Sequence, residues 1–459
     1  MICRIWPLLH YIVLYESISK LGKEEIFMSE KFKIGTKAVQ GGYSPKSGDP
    51  RVVSIVQSTS YKYDSFDEVA NVAAVSADVT ALNKQGGYLY TRVGNPTVTA
   101  LEKKYVELQG GVEAIATASG QSAVVYSIIN IANSGDHIIA NSNLYGGTYN
   151  LFNTIIPKLG INVSFMDPVA SEEEILAAAT EKTKLIFGET IGNPGLNVLD
   201  FDKFSSVATK LDIPFIVDNT IATPYLINPF EYGANIVVHS TTKYSDGHAV
   251  SLGGIIIDGG NFNWANGKFP DYTTPTGPYD VVFVNEFGKR AFSGKLRTNL
   301  VEEFGAAPAP FNAFLTNLGL ETLHLRMERH SYNALNLAKY LSNHPKIQWV
   351  RYPYLEWDPE YERAKKYLNG GASGILTFGV KGGIEAAKTL GENLKLASIV
   401  VNLGDVRTYV IHPASTTHLA LSEEQQREAG VTPELIRVSV GIEDIEDIIA
   451  DFQQALDRV

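Results

Sequence analysis

Residues 235–254 read NIVVHSTTKYSDGHAVSLGG, and they decide how the rest of the chain is interpreted. An apolar, strand-like run leads to Ser240, Thr242 and Lys243, and a glycine-containing segment follows. A lysine buried at a strand end can lose its proton through desolvation and become a nucleophile toward an aldehyde. Hydroxyl groups beside it can donate hydrogen bonds to a phosphate without crowding it. Taken alone, such a lysine is more often a surface residue, so the neighbouring segments decide between these interpretations.

Short apolar runs recur along the first part of the chain, and each is closed by small or polar residues. The predicted strands are residues 113–119, 137–143, 184–190, 214–219, 235–242 and 252–260. Helix-like stretches such as residues 122–132 and 172–180 lie between them. Apolar strands that alternate with helices predict a largely parallel sheet covered on both faces. Ligands of such sheets bind at the carboxyl ends of the strands.

Three further strand ends carry side chains that suit one ligand. Asp218 closes the run PFIVDN, where a carboxylate could keep a pyridine nitrogen protonated, although a helix cap or a turn is the alternative. Gly120 and Gln121 open a helix whose free N–H groups form an anion site. Tyr145 stands beside two glycines that leave room for a flat ring. Each signal is weak alone, but together with Lys243 they predict a phosphorylated pyridine aldehyde.

Composition excludes several other classes of protein. The formal net charge of -11 argues against a nucleic-acid partner, because such a surface needs a basic face. The single cysteine permits neither an internal disulfide nor a cysteine-based metal site, and we expect no metal. Residues 5–15 are apolar but too few to span a bilayer, which takes about 20 residues, so we expect no membrane association.

The chain is long enough for two or three packed subdomains. We expect residues 1–27 to be a non-native or disordered extension, because Met28 begins a typical soluble start. The predicted parts that follow are an N-terminal arm over residues 28–90, a large domain over 91–305 and a C-terminal α/β domain over 306–459. The large domain contains an irregular insertion at about residues 259–300, rich in glycine, proline and aromatic residues.

Eight motifs make the chain resemble a known family. They are YTRVGNPT, SGQSA, LYGGTY, ETIGNP, VDNT, HSTTKY, HPASTTH and RVSVGIED. From about residue 32 to residue 456 the chain is similar to the Cys/Met-metabolism enzymes that depend on pyridoxal 5'-phosphate (PLP). The resemblance implies an α/β fold of the aspartate-aminotransferase type, called fold type I, with a mostly parallel sheet in the large domain and a smaller C-terminal α/β domain.

The resemblance also implies a role for each cofactor-binding residue. Lys243 would bond PLP covalently and then carry the proton transfers, Asp218 would pair with the pyridinium, and Tyr145 would stack on the ring. Asn193 would hydrogen-bond the ring oxygen. The implied phosphate-binding residues are Gly120, Gln121, Ser240 and Thr242.

Other implied contacts involve the substrate and a second subunit. Arg437 would grip the substrate carboxylate through its planar fork, with Asn402 beside it. Tyr90 and Arg92, which belong to the motif YTR, would reach the cofactor phosphate of a neighbouring subunit. A homodimer is then the minimum assembly, and a tetramer is expected. Four histidines are expected to be structural: His239, His248, His412 and His418.

Three features resemble one subgroup, the O-acetylhomoserine sulfhydrylases. They are the insertion, Asn402 where the lyases and cystathionine synthases usually carry serine, and Gly147 where methionine γ-lyases carry cysteine. The implied reaction is γ-replacement on O-acetyl-L-homoserine with sulfide or methanethiol, which gives homocysteine or methionine and acetate, in the cytoplasm. The alternatives are a cystathionine γ-synthase, a methionine or cystathionine γ-lyase, and a catalytically silent binding protein.

Overall fold

The computed structural model describes residues 32–74, 87–276, 280–417, 419, 426 and 430–459. The predicted extension over residues 1–27 lies outside the described residues, as does the first part of the predicted arm. Within these ranges a large sheet and a small sheet each organise one part of the chain, and the site lies between them.

The large sheet has seven strands in the order β1-β7-β6-β5-β4-β2-β3. Every neighbouring pair is parallel except the two pairs that β7 makes with β1 and β6. The strands are β1 Glu113–Thr117, β2 His137–Asn141, β3 Asn162–Met166, β4 Thr183–Glu189, β5 Phe215–Asp218, β6 Ile236–Ser240 and β7 Gly254–Asp258. The mostly parallel sheet predicted from the apolar runs is confirmed, and β3 is the strand that those runs missed.

The helices of this part of the chain precede the sheet or connect its strands. They are α1 Ile34–Gln40, α2 Phe66–Ala74, α3 Pro96–Gln109, α4 Gly120–Ile129, α5 Gly146–Asn150, α6 Glu172–Ala177, α7 Phe201–Leu211 and α8 Thr223–Leu226. Polar caps explain where several of them begin. Ser119 accepts a hydrogen bond from the Ser122 N–H at the start of α4, and Ser171 and Glu174 form a capping box at the start of α6.

The predicted insertion contains short helices around an aromatic cluster. They are α9 Pro270–Thr273, α10 Phe283–Phe287 and α11 Ala291–Lys295, and a π-helical turn over Leu296–Val301 then leads to α12 Glu302–Phe304. Trp264 stacks on Tyr272 at 4.4 Å between ring centroids. Buried Arg297 pairs with Glu102 at 3.4 Å and with Glu113 at 3.3 Å, so the segment is tied to the large domain. Aromatic packing and these ion pairs hold the short helices of the segment in place.

The small sheet has five strands in the order β10-β11-β12-β9-β8, and only the pair β10 and β11 is parallel. The strands are β8 Ile347–Arg351, β9 Ile375–Val380, β10 Ser398–Ile399, β11 Tyr409–Ile411 and β12 Leu435–Ser439. The helices of this region are α13 Pro310–Glu321, α14 Leu323–Ser342, α15 Tyr361–Tyr367, α16 Gly383–Asn393 and α17 Ile445–Leu456. Ile445, Ile448 and Phe452 are buried on α17, as its helical spacing predicts.

Contacts from the small domain hold the segment that contains Lys243. Tyr244 is fully buried, and its phenol oxygen accepts a hydrogen bond from the Gly374 N–H at 2.9 Å. Arg326 on α14 donates to the carbonyl of Tyr244 at 2.7 Å. The backbone on one side of Lys243 is therefore anchored to the small domain, while β6 anchors the other side.

Candidate active site

A cavity of about 220 Å³ lies at the carboxyl ends of the large sheet's strands and is closed from the other side by the small domain. Ten predicted site residues line it: Gly120, Gln121, Tyr145, Asn193, Asp218, Ser240, Thr242, Lys243, Asn402 and Arg437. In a parallel sheet the carboxyl ends of successive strands meet at one edge. That geometry brings together the eight of these residues that belong to the large domain, and the small domain adds Asn402 and Arg437.

Lys243 lies in the turn after β6, and its amine points into the cavity. Its Nζ donates a hydrogen bond to Asn402 Oδ1 at 2.7 Å. Burial, with a smaller contribution from the positive charge of Arg437, lowers the pKa of Lys243 to about 8. A substantial fraction of the amine is therefore neutral near physiological pH, which is the state that attacks an aldehyde.

Asp218 ends β5, the strand next to β6, and lines the same cavity. Its Oδ1 accepts hydrogen bonds from the Thr220 N–H at 2.9 Å and from the Thr220 hydroxyl at 2.5 Å. These bonds favour the charged form, but desolvation has the larger effect and raises the pKa of Asp218 to about 6. The carboxyl group is thus placed to hold a cation at the floor of the cavity.

Glu189 also lines the cavity, although no role was predicted for it from the sequence. It ends β4 and pairs in register with Asp218 on β5. Its Oε1 accepts a hydrogen bond from the Tyr145 N–H at 2.7 Å. Desolvation and the nearby Asp218 raise the pKa of Glu189 well above its usual range. The signal was present in the sequence, because Glu189 closes an apolar run just as Asp218 does.

The start of α4 forms an anion-binding cradle. Gly120 packs so closely against Ser240 that a Cβ on Gly120 would lie 2.5 Å from the Ser240 Cβ. The first-turn N–H groups of a helix have no partners within the helix. A phosphate would meet these donors together with the hydroxyls of Ser240 and Thr242.

Arg437 on β12 is buried and faces the cavity from the small domain. Its Nη1 donates to Asn193 Oδ1 at 3.2 Å, and its Nη2 donates to the Asn402 carbonyl at 2.7 Å. Its Nε is buried and has no hydrogen-bond partner within the part of the chain that the structure describes. Because both of these acceptors are uncharged, the guanidinium keeps capacity for an anionic ligand.

Tyr145 is half exposed at the mouth of the cavity, next to Gly146 and Gly147. A Cβ on Gly147 would lie 2.5 Å from both the Tyr145 Cε1 and the Gln121 Nε2. The absence of a side chain at position 147 therefore leaves the space that the phenol ring occupies.

Tyr90 and Arg92 do not line the cavity of their own chain. Tyr90 is partly exposed, and the Arg92 guanidinium lies over its ring at 5.5 Å from the centroid. The structure therefore does not bring these two predicted site residues together with the other ten.

The described histidines contact protein atoms. His412 lies 2.8 Å from the Ser415 hydroxyl and 2.7 Å from the Pro433 carbonyl. His239 is buried against Gln109, and His248 contacts the carbonyl of Asp246. His418 lies outside the described residues.

The sequence matches the family described as "Cys/Met metabolism PLP-dependent enzyme" over residues 35–457. The chain belongs to this family. PLP is therefore its cofactor, and it is an enzyme. The fold of this PLP-dependent family agrees with the architecture described above.

Individual relatives cover nearly the whole chain. The O-acetyl-L-homoserine sulfhydrylase of Leptospira meyeri is 46% identical over 94% of this chain and 98% of its own. The homocysteine synthase of Schizosaccharomyces pombe is 44% identical over 94% and 99%. A solved structure from Campylobacter jejuni, described as a putative O-acetylhomoserine (thiol)-lyase, has a TM-score of 0.87 and 35% identity and covers 93% of this chain and 100% of its own. That structure carries a pyridoxyl-lysine phosphate.

The cavity fits PLP in chemistry as well as in position. Its lining places a lysine, a carboxylate pair and a helix N-terminus at separate points around one space. The Nε of Arg437 is buried without a hydrogen-bond partner among the described residues, so it is suited to donate to a polar ligand. Within the described ranges no group of residues could hold a metal ion, and no helix there is long and apolar enough to cross a bilayer.

Proposed function

We propose that this PLP enzyme catalyses γ-replacement on O-acetyl-L-homoserine with sulfide or methanethiol, giving homocysteine or methionine and acetate. The observation that carries the proposal is the 46% identity to an O-acetyl-L-homoserine sulfhydrylase over almost the entire chain, together with ten predicted residues in one cavity. Fold alone would not distinguish this reaction from the others that the same scaffold supports.

The residues divide the work by position. PLP, when bound, supplies an electron sink for negative charge that develops at the α carbon of the substrate. Lys243 moves the protons at the substrate's Cα and Cβ, because its depressed pKa lets the amine both accept and return a proton. Arg437 binds the substrate carboxylate. Loss of acetate from Cγ leaves a carbon to which the sulfur nucleophile adds.

Asn402 supports the assignment of Lys243 as the proton carrier. Its side-chain oxygen accepts from the Lys243 amine, while its backbone carbonyl accepts from Arg437. One residue therefore links the group that moves protons to the group proposed to bind the substrate carboxylate. In this arrangement the substrate and the base are aligned by a common anchor.

Product analysis tests the reaction. Purified protein is incubated with O-acetylhomoserine or O-succinylhomoserine, each with sulfide, with methanethiol, with cysteine and with no nucleophile. The proposal requires the highest rate with O-acetylhomoserine and sulfide or methanethiol. Cystathionine from cysteine as the dominant product would indicate a cystathionine γ-synthase, and 2-oxobutanoate without a nucleophile would indicate a γ-lyase.

We also propose that Tyr90 and Arg92 complete the cofactor site of a neighbouring subunit, so that the active form is a homodimer or a pair of dimers in the cytoplasm. Their position outside the cavity of their own chain supports this arrangement. Co-refolding Arg92→Ala with Lys243→Ala should restore activity that neither variant has alone, because mixed dimers contain one intact site. No recovery in mixed assemblies would contradict the proposal. Cell fractionation followed by detection of the protein in the cytoplasmic fraction tests the proposed location.

A further inference from the structure

We propose that Glu189 is a positioning residue of the PLP site, in which Glu189 and Asp218 act as one carboxyl pair that holds a single negative charge while Glu189 fixes the backbone of Tyr145. The inference rests on the cofactor of the proposed function and not on the choice of substrate. It assigns a role to a residue that the motifs alone did not distinguish.

The placement of the two carboxyl groups follows from the sheet. Glu189 and Asp218 are register partners on the parallel strands β4 and β5. Neighbouring strands lie about 4.8 Å apart, and partners in register present their side chains on the same face. Both residues line the same cavity, and Glu189 is only 7% exposed. Two full negative charges at this spacing would be costly in a poorly solvated site.

Hydrogen bonds indicate which group carries the proton. Asp218 accepts two hydrogen bonds from Thr220, and both stabilise its anion. Glu189 accepts one, from the Tyr145 N–H. The pKa of both groups is raised, and for Glu189 the charge of Asp218 adds to desolvation, which agrees with a proton that resides on Glu189. One anion then remains at the floor of the site, which matches the single positive charge of a pyridinium.

The second role of Glu189 is mechanical. Its bond to the Tyr145 backbone connects the end of β4 to the segment that carries the phenol. A neutral carboxyl group still accepts this hydrogen bond through its carbonyl oxygen. Glu189→Gln keeps an acceptor of the same shape without a titrating group, so it separates the mechanical role from the electrostatic one. Glu189→Ala removes both.

The other ionisable groups that line the cavity are Tyr145, Lys243 and Arg437, and they are the same in parent and variants. Carboxyl groups whose pKa is raised in the folded protein leave it most stable at low pH, and stability is lost as the pH rises from the unfolded pKa through the folded pKa. The pKa of Asp258 is also raised, to about 7, so this residue adds to the loss of stability in every protein tested. The informative quantity is therefore the difference in stability between the parent and Glu189→Gln.

The experiment measures thermal unfolding of the PLP-free protein between pH 5 and pH 8. The parent should lose more thermal stability than Glu189→Gln over this range, by about 2 °C or more, because the glutamine variant has no proton to lose at this position and Asp218 then ionises without a like charge beside it. The exposed Glu173→Gln should match the parent. In an Asp218→Asn background the effect of Glu189→Gln should shrink. Two outcomes would contradict the proposal that the two carboxyl groups share one negative charge. One is an equal pH dependence of thermal stability in the parent and Glu189→Gln, and the other is an undiminished effect of Glu189→Gln in the Asp218→Asn background.

Reconstitution with PLP tests the contact with Tyr145. Glu189→Gln should bind PLP within about threefold of the parent and keep its visible circular dichroism, since the acceptor is retained. Glu189→Ala should bind PLP about tenfold more weakly, because the Tyr145 N–H loses its partner. Parent-like binding by Glu189→Ala would overturn the positioning role. A parent that fails to bind PLP would instead overturn the proposed function, and the PLP-free measurements would still decide the pair.

Discussion

The wall of the cavity that comes from the large sheet and the wall that comes from the small domain differ in both charge and origin. The large-sheet wall carries the carboxyl groups of Glu189 and Asp218, at the ends of adjacent strands. The small-domain wall carries the guanidinium of Arg437, and the amine of Lys243, which follows β6, connects the two walls through its hydrogen bond to Asn402. A cationic ring would therefore face the carboxyl groups of the large-sheet wall, and an anionic carboxylate would face the guanidinium of the small-domain wall. The opposite charges of the two walls would orient a bound ligand. A substitution can alter either wall without changing the other.

Removing the amine that connects the two walls should have the largest effect. Lys243→Ala should lower kcat/KM by at least about 10⁴-fold, because both the covalent link to PLP and the proton carrier are lost. The PLP-treated variant should lack the visible absorbance of the parent. Steady-state kinetics and absorbance spectra make the measurement, and the exposed Lys182→Ala serves as control. Parent-like turnover in Lys243→Ala would mean that another group moves the protons.

The positive wall should act on substrate binding and on the pKa of Lys243. Arg437→Gln should raise KM for the amino-acid substrate by about 100-fold, with a smaller change in kcat, because a charged hydrogen-bonding group is lost. Arg437 contributes to the low pKa of Lys243, so its removal raises that pKa above about 8. The rate at which PLP-free protein bonds PLP should then reach its plateau at higher pH. The exposed Arg329→Gln is the control. An unchanged pH profile in Arg437→Gln would show that Arg437 does not affect the pKa of Lys243.

Space on the large-sheet wall can be tested at Gly147. Gly147→Ala should weaken PLP binding by about tenfold, because the new Cβ would press on the Tyr145 ring and the Gln121 amide. Titration of the PLP-free protein with PLP gives the affinity. Gly391→Ala provides a control, because a Cβ at that helical position would meet open space. Undiminished affinity in Gly147→Ala would show that Tyr145 can move aside without cost.

Substitution of Asn402, which links Lys243 to Arg437, should have the smallest effect. Asn402→Ser shortens the side chain that accepts from the Lys243 amine, so kcat should fall by about 2–10-fold while PLP stays bound. The ratio of homocysteine to 2-oxobutanoate should be measured at the same time, because related lyases carry serine at this position. A change in neither kcat nor product ratio would remove Asn402 from the description of the site.

The ends of the large-sheet strands could be located from the residue pattern, whereas Asn402 and Arg437 of the small-domain wall were expected only from the resemblance to a family. Buried parallel strands appear as apolar runs, so their ends, and with them Asp218 and Lys243, could be located from the residue pattern alone. Asn402 lies between β10 and β11, which have only two and three residues and are too short to produce a pattern. Glu189 was missed for a different reason, since a carboxylate at a strand end has no special meaning until its neighbour is known.

Three properties of this protein follow from its sequence alone: the class of fold, the cofactor and the identity of the residues that end the parallel strands. They can be inferred because periodicity and strand-end chemistry are local, and because the eight motifs resemble one family. The folded chain was needed to place Glu189 beside Asp218 and to show that Asn402 joins Lys243 to Arg437. Those contacts depend on strand order and on the packing of one domain against the other. Both are set by the burial of apolar surface across the whole chain, which no single segment encodes.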